Sequence, residues 1–324
     1  MAILVGIDEA GYGPLLGPLT VSAAAFRIAD EQLKEDHWAI LKKAISSEKK
    51  GLKGRLLITD SKKAFNRKAG PAHLRRTVLA VLKCIHDSNQ NSPETAAELV
   101  KILCPDCAKR VCCYDWYKGL AEQKLGADKG DIGIAANVLK TVLKENRMQM
   151  VSLSSRCLDA GYYNRMVANV KNKSRVLFTA IAGLMQQVFD KADDGENVQI
   201  VVDRQGGRAN YADPLRRMFP GLSLSVIRQD EIDSSYELIG AAKRMRVHFV
   251  VKADDKCMPV ALASMTSKYL REVLVESLNN YFVGKCDKIK PTAGYWQDGL
   301  RFVKEIEAHL PGLKYDKDRL VRTR

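Results

Sequence analysis

Three short apolar runs in this sequence stop at or beside an acid. Ala2 to Ile7 ends at Asp8, Val198 to Val202 at Asp203, and Val247 to Val251 just before Asp254. Read as strands of an α/β chain, these runs carry their acids to the edge where loops leave room for a substrate. Carboxylates gathered there repel one another and stay ionised together only beside a cation. A hard divalent ion, Mg²⁺ or Mn²⁺, answers that need, because it takes oxygen ligands and keeps waters of its own. In a basic chain, such a group supports metal-assisted cleavage of a phosphodiester. Acids at strand ends are also ordinary turn residues, and the spacing by itself leaves that alternative open.

The elements that hold these acids follow from apolar periodicity. Leu19 to Ile28 reads as a second strand. The residues before it include Gly11, Gly13, Pro14, Gly17 and Pro18, and two Gly-Pro pairs demand a tight loop rather than a helix. Leu74 to Ile85, Ala96 to Leu103, Ile132 to Leu143 and Val176 to Phe189 carry helical spacing. Leu222, Leu224 and Val226 alternate with serines as a strand, and Tyr236 to Met245 reads as a helix. Pro259 opens a long helix to about Leu278, and a final helix covers Gly299 to His309. Asp87 to Thr95 reads as an exposed connector. The expected whole is a mixed α/β domain with an additional helical portion.

Other site classes find little support. The five histidines (His37, His73, His86, His248 and His309) stand in no nucleophile or zinc-hydrolase pattern, and neither a GxGxxG nor a Walker loop occurs. Cys104, Cys107, Cys112 and Cys113 form the one local cysteine cluster. Reduced, part-buried thiols are the default reading, with a structural zinc as the alternative, although no fourth ligand stands at finger spacing.

The chain has 324 residues, 46% hydrophobic and 28% charged, which excludes a mainly disordered protein. No run approaches the roughly 18 to 20 apolar residues of a membrane span. The N-terminus reaches Asp8 and Glu9 too soon for a secretory signal, so a soluble, cytoplasmic protein is expected. Lys and Arg number 52 against 38 Asp and Glu, a formal charge of +14. That balance favours a polyanionic partner, nucleic acid ahead of a membrane surface. Between Lys42 and Arg76 stand twelve basic residues and only two acids, Glu48 and Asp60, a local net of +10. Charge runs are commonly solvated faces. This one surrounds Thr59-Asp60-Ser61-Lys62-Lys63 and reads as phosphate-contacting.

Five motifs resemble, in order, those of the ribonuclease HII family, the type 2 ribonucleases H. They are Gly6-Ile7-Asp8-Glu9-Ala10-Gly11-Tyr12-Gly13-Pro14 with Gly17-Pro18, Asp60-Ser61-Lys62-Lys63, Val201-Val202-Asp203, Lys252-Ala253-Asp254 with Ser264 to Glu272, and Gly294-Tyr295 with Asp298. They span nearly the whole chain, and the first is highly specific. The resemblance implies a ribonuclease H-like mixed sheet flanked by helices, with a helical insertion and a C-terminal helical extension. The catalytic domain would cover 1–285, with an insertion at about 88–150, and a C-terminal helical segment would follow at 286–324.

On that resemblance Asp8, Glu9, Asp203 and Asp254 would be the four acids that hold Mg²⁺ or Mn²⁺. The reaction would be hydrolysis of RNA in an RNA–DNA hybrid, or at ribonucleotides within duplex DNA, leaving 5′-phosphate and 3′-hydroxyl ends. Gly11, Tyr12 and Gly13 would read a 2′-hydroxyl, and Ser61, Lys62 and Lys63 would lie near backbone phosphates. Tyr295 would pack on a sugar. A monomer is expected. Tyr12 stands where the family has Arg, so it loses a permanent charge and a bidentate fork. A preference for RNA tracts over single ribonucleotides is the consequence. The readings that compete are a silent nucleic-acid-binding relative and a nuclease of the same fold with another substrate.

Overall fold

A computed structural model of the chain describes residues 1–65, 70–85, 92–204, 206 and 208–323. Apolar residues on both faces put β1 (Ala2–Ala10) at the middle of the molecule. Ile3, Val5 and Ile7 enter one core layer, and Ala2 and Leu4 the other. Six further strands complete the sheet: β2 (Leu19–Ile28), β3 (Gln149–Leu158), β4 (Asn197–Asp203), β5 (Ser223–Gln229), β6 (Asp233–Ile239) and β7 (Arg244–Val250). Their spatial order is β3-β2-β1-β4-β7-β6-β5. β1, β4 and β7 run parallel, while both flanks are antiparallel. The acids of the first and third motifs therefore lie on neighbouring parallel strands.

After a single helical turn at His37–Ile40 come α1 (Ser61–Ala64), α2 (Ala72–Ile85), α3 (Ala96–Leu103), α4 (Pro105–Val111) and α5 (Lys129–Glu145). After β3 come α6 (Ala160–Val170), α7 (Lys173–Lys191), α8 (Met258–Val283), α9 (Trp296–His309) and α10 (Lys317–Leu320). Helix α7 buries Val176, Leu177, Ile181, Leu184 and Met185 on the face of β1 that carries Ile3 and Val5. Helix α8 and the helices of the 88–150 stretch cover the opposite face. The fold is thus a mixed sheet flanked by helices, as the resemblance implies. Among the described residues no helix is long and apolar enough to cross a membrane.

Small residues let α8 lie against the sheet. Ala24 of β2 shares a buried cluster with Ala261 and Ala263 of α8, and Ser264 is buried as well. Ser267 Oγ donates to the Asp8 carbonyl (2.9 Å) and sits 2.8 Å from Ser22 Oγ, while Thr20 Oγ1 donates to the Ser267 carbonyl (2.9 Å). These bonds satisfy hydroxyls that would be costly to bury alone.

Two expectations need correction. Tyr236 to Met245 is not a helix but the end of β6, a turn, and the start of β7. Tyr236 and Leu238 alternate into the core, Gly240 donates to the Lys243 carbonyl (2.9 Å), and pairing with β7 overrides the local helix preference. β1 also runs two residues past Asp8, so Asp8 and Glu9 sit within the strand rather than behind it. The ten-residue β3 and the helix α6 have no counterpart in the expected elements. Arg67, Lys68 and residues 87–91 of the expected connector lie outside the described residues.

Candidate active site

The strand ends bring the acids together. Asp8 is buried at the end of β1, its Oδ1 accepting from the Glu9 amide at 2.7 Å. Asp203 closes β4, and its Oδ1 accepts from the amide of Ala253 (2.8 Å). That bond fastens the turn after β7, where Lys252 is left-handed (φ 53°) and Ala253–Asp255 form one helical turn carrying Asp254. Burial raises the Asp8 carboxyl well above its usual range, and the charges of Glu9 and Asp203 add to the rise. Burial, then Asp203, lifts Glu9 to about 7. Burial, partly offset by the Ala253 amide, lifts Asp203 to about 6, and Asp254 adds to the rise. Asp254 is itself raised by burial, then by Asp60 and Asp255. The four acids thus sense one another in a chain, each disfavouring the ionised form of the next.

A cation opposes this crowding. Lys62 favours the ionised forms of Glu9, Asp203 and Asp254 alike. It sits in α1, whose N-cap Asp60 accepts from the Lys62 amide at 2.8 Å. Lys63 is placed differently, with its Nζ 2.6 Å from Asp255 Oδ1. Ser61 is buried, and its Oγ accepts from Ser264 Oγ (3.1 Å), which fixes the Asp60–Lys63 segment to α8. A groove of about 1130 Å³ runs from Lys62 and Lys63 past Lys268 to Tyr295.

At the Tyr295 end of that groove, two glycines join the segment before Tyr295 to the first-motif loop. Gly11 (φ 89°) and Gly294 (φ 80°) both adopt left-handed backbone open to few other residues. The Gly294 carbonyl accepts from the amides of Leu15 (2.8 Å) and Leu16 (3.0 Å), so the Tyr295 segment docks directly on the glycine loop. Arg271, 1% exposed, donates from Nη2 to the carbonyls of Leu16 (3.2 Å) and Ala293 (3.0 Å). Its side chain also lies where a Cβ on Gly11 would fall, 2.6 Å from Nε. Tyr295 is half exposed, with its ring 5.9 Å from the Arg271 guanidinium. Tyr12 is half-buried, and Lys173 Nζ stands 5.2 Å from its ring centroid. Gly13 has open space around it.

Sequence reasoning missed Asp60 as a fifth acid within range of Asp203 and Asp254, and Arg271 and Arg322 as supports of the loop. Asp60 had a signal in its own motif, whereas the two arginines act through backbone carbonyls that no spacing announces. Cys104 and Cys107 are buried beside Cys157, whose amide donates to Cys107 Sγ at 3.3 Å, while Cys112 and Cys113 are exposed. The four clustered cysteines therefore do not face one point. Among the described residues no three His, Cys, Asp or Glu side chains already close on a single coordination point.

No family model and no curated protein matches the sequence. Solved structures do resemble the fold. Ribonuclease HII of Archaeoglobus fulgidus, in its PCNA complex, is 17% identical over 99% of this chain and 94% of its own, with a TM-score of 0.44. Ribonuclease H2 of Pyrococcus horikoshii is 13% identical over 98% and 92%, with a TM-score of 0.40. Bst ribonuclease HIII with Mn²⁺ is 16% identical over 87% and 56%, also with a TM-score of 0.40. At these values the likeness says nothing about activity. The strand order and the site geometry must speak for themselves.

Proposed function

We propose that the protein is a metal-dependent endoribonuclease of the type 2 ribonuclease H kind. It would cut the RNA strand of RNA–DNA hybrids, or ribonucleotides within duplex DNA, to leave 5′-phosphate and 3′-hydroxyl ends. One observation carries this reading: Asp8 and Glu9 on β1, Asp203 at the end of β4 and Asp254 in the turn after β7 lie near enough for their charges to act along the group, beside Lys62. A binding-only surface gains nothing from crowded carboxylates next to phosphates. The donor set is all oxygen, which suits Mg²⁺ or Mn²⁺. When bound, such an ion neutralises the scissile phosphate and lowers the pKa of water.

The remaining roles belong to the chain. The Lys62 charge acts on the acids and would hold a non-bridging phosphate oxygen, while Ser61 keeps the segment in register through Ser264. Gly13 has open space around it on a loop held by Arg271, so a 2′-hydroxyl would approach the backbone closely there. Tyr295 offers a half-exposed ring to the sugar beside the cut. Residues 1–285 would form the catalytic domain, with 88–150 as its insertion and 286–324 as its support. The test is cleavage of end-labelled duplexes in Mg²⁺ and in Mn²⁺. The panel holds an RNA–DNA hybrid, a DNA duplex with one ribonucleotide, and all-DNA and all-RNA controls. Cutting confined to ribonucleotide-containing strands is expected, and cutting of the all-DNA duplex alone would overturn the reading.

A further inference from the structure

Behind the glycine loop lies a cavity of about 30 Å³, lined by Tyr12, Gly13, Tyr163, Lys173, Trp296 and Arg322, with Pro14, Leu15 and Thr323. It has room for one water-sized group. Arg322 is 3% exposed, and its Nε (3.1 Å) and Nη2 both donate to the Pro14 carbonyl. Its guanidinium lies 5.0 Å over the Tyr163 ring. The third nitrogen, Nη1, is buried with no hydrogen-bond partner among the described residues. No carboxylate among the described residues pairs with Arg322. Burial, with the charge of Arg271 adding to it, lowers its pKa to about 10.

A buried cation with a donor to spare is costly unless an anion answers it. The surroundings add positive potential. Lys173 reaches over Tyr12 from the first turn of the 19-residue α7, whose aligned amides end there. Tyr12 also senses the charge of Glu9, so the cavity sits beside the acids rather than on a remote face.

We propose that this cavity is a subsite for one backbone phosphate of a bound nucleic acid. A phosphate oxygen would enter it and accept from Arg322 Nη1, the Tyr12 hydroxyl and Lys173 Nζ. The size of the cavity admits one oxygen and leaves the rest of the phosphodiester outside, where its chain can continue along the groove. The inference rests on the nucleic-acid reading above and adds two donors, Lys173 and Arg322, that no motif marks.

The test is binding of a short RNA–DNA hybrid in EDTA, followed by fluorescence anisotropy as salt rises. It compares wild-type protein with Lys173→Gln, Arg322→Met and the double variant. Each single variant should bind about tenfold more weakly. The slope of log affinity against log salt should fall by about 0.9, the value of one phosphate, and the double variant should lose no more. Hybrids carrying a neutral methylphosphonate at one linkage at a time should show one position that weakens the wild type and leaves Lys173→Gln unaffected. Lys173 is exposed, so its substitution keeps the test decisive should Arg322→Met unfold.

Unchanged affinity and slope in Lys173→Gln would overturn the subsite. Wild-type protein that fails to bind any hybrid would overturn the nucleic-acid reading itself. If inorganic phosphate raises the thermal midpoint of the wild type but not of Arg322→Met, while every methylphosphonate hybrid binds like its parent, the cavity takes free phosphate and the assignment to nucleic acid fails.

Discussion

A Cβ on Gly6 would lie 2.1 Å from the carbonyl carbon of Pro259. The first turn of α8 therefore rests on bare backbone of β1, two residues before Asp8. Gly6→Ala cannot be absorbed by a rotamer change, because the obstacle is main chain. The helix must lift, and overpacking of this kind costs roughly 1 to 3 kcal/mol or more. Urea unfolding should show the loss, and activity should drop further than stability because Ser264 and Ser267 move with the helix. A variant as stable and active as wild type would mean that the helix floats on the sheet.

Asp8→Asn and Asp203→Asn should each lower cleavage by upwards of about a hundredfold, as loss of a metal ligand removes several kcal/mol of transition-state stabilisation. Hybrid binding should persist or tighten, since a negative charge near phosphates has gone. Single-turnover rates and anisotropy separate the two effects. Near-normal turnover in either variant would remove these residues from the metal site.

In the absence of divalent ions the acids should make the fold weaker as pH rises. Glu9 and Asp203 stand at about 7 and about 6, above their ordinary 4.5 and 3.8. Below the ordinary values both groups are protonated whether the chain is folded or not, and they contribute nothing. As pH climbs, the unfolded chain ionises first, so the folded state loses ground until pH passes about 7. Thermal midpoints in EDTA should fall across that window, and Mg²⁺ should restore them most at its upper end. A midpoint that ignores Mg²⁺ at neutral pH would contradict the fit of this donor set to a divalent ion.

The two lysines of the second motif should not be equivalent. Lys62→Ala removes the cation that faces three acids, and the salt slope of hybrid binding should fall by about 0.9. Lys63 holds Asp255 at 2.6 Å, so its loss should change the slope less. Equal effects would mean that the pair with Asp255 opens when the duplex binds.

Asp159 should prove to be the joint of the 88–150 stretch. It is 1% exposed, caps α6 through the Tyr162 amide (2.9 Å) and receives both Arg110 and Tyr114. Asp159→Asn leaves the Arg110 charge without its partner, and breaking a buried pair costs about 3 to 5 kcal/mol. Denaturant titration should report a loss of that order. A loss under about 1 kcal/mol would show that Arg110 finds water.

How much of this was legible depended on where the signal resides. The strands at Ala2 and Val198 and the helices at Val176 and Pro259 announce themselves by period and capping, and the acids by their place at run ends. The hairpin at Tyr236 was hidden because Glu237, Leu238, Ala241, Ala242 and Lys243 favour a helix locally, and only pairing with β7 decides otherwise. β3 mixes serines with apolar residues, since Ser155 meets Ser22 at 2.7 Å inside the sheet. The roles of Arg271 and Arg322 depend on carbonyls brought near by the fold, and no local pattern encodes them.

The bond from Arg322 to the Pro14 carbonyl spans 308 positions, and Val321 bridges to Leu16 beside it. During synthesis the glycine loop leaves the ribosome some three hundred residues before its clamp. A nascent chain can stack most of its sheet before that clamp arrives, but the glycine loop stays unfastened until then. Contacts this distant in sequence also form slowly. Competence to engage a duplex should therefore wait for that clamp, and a chain stopped short of Val321 should fold its core without acquiring it.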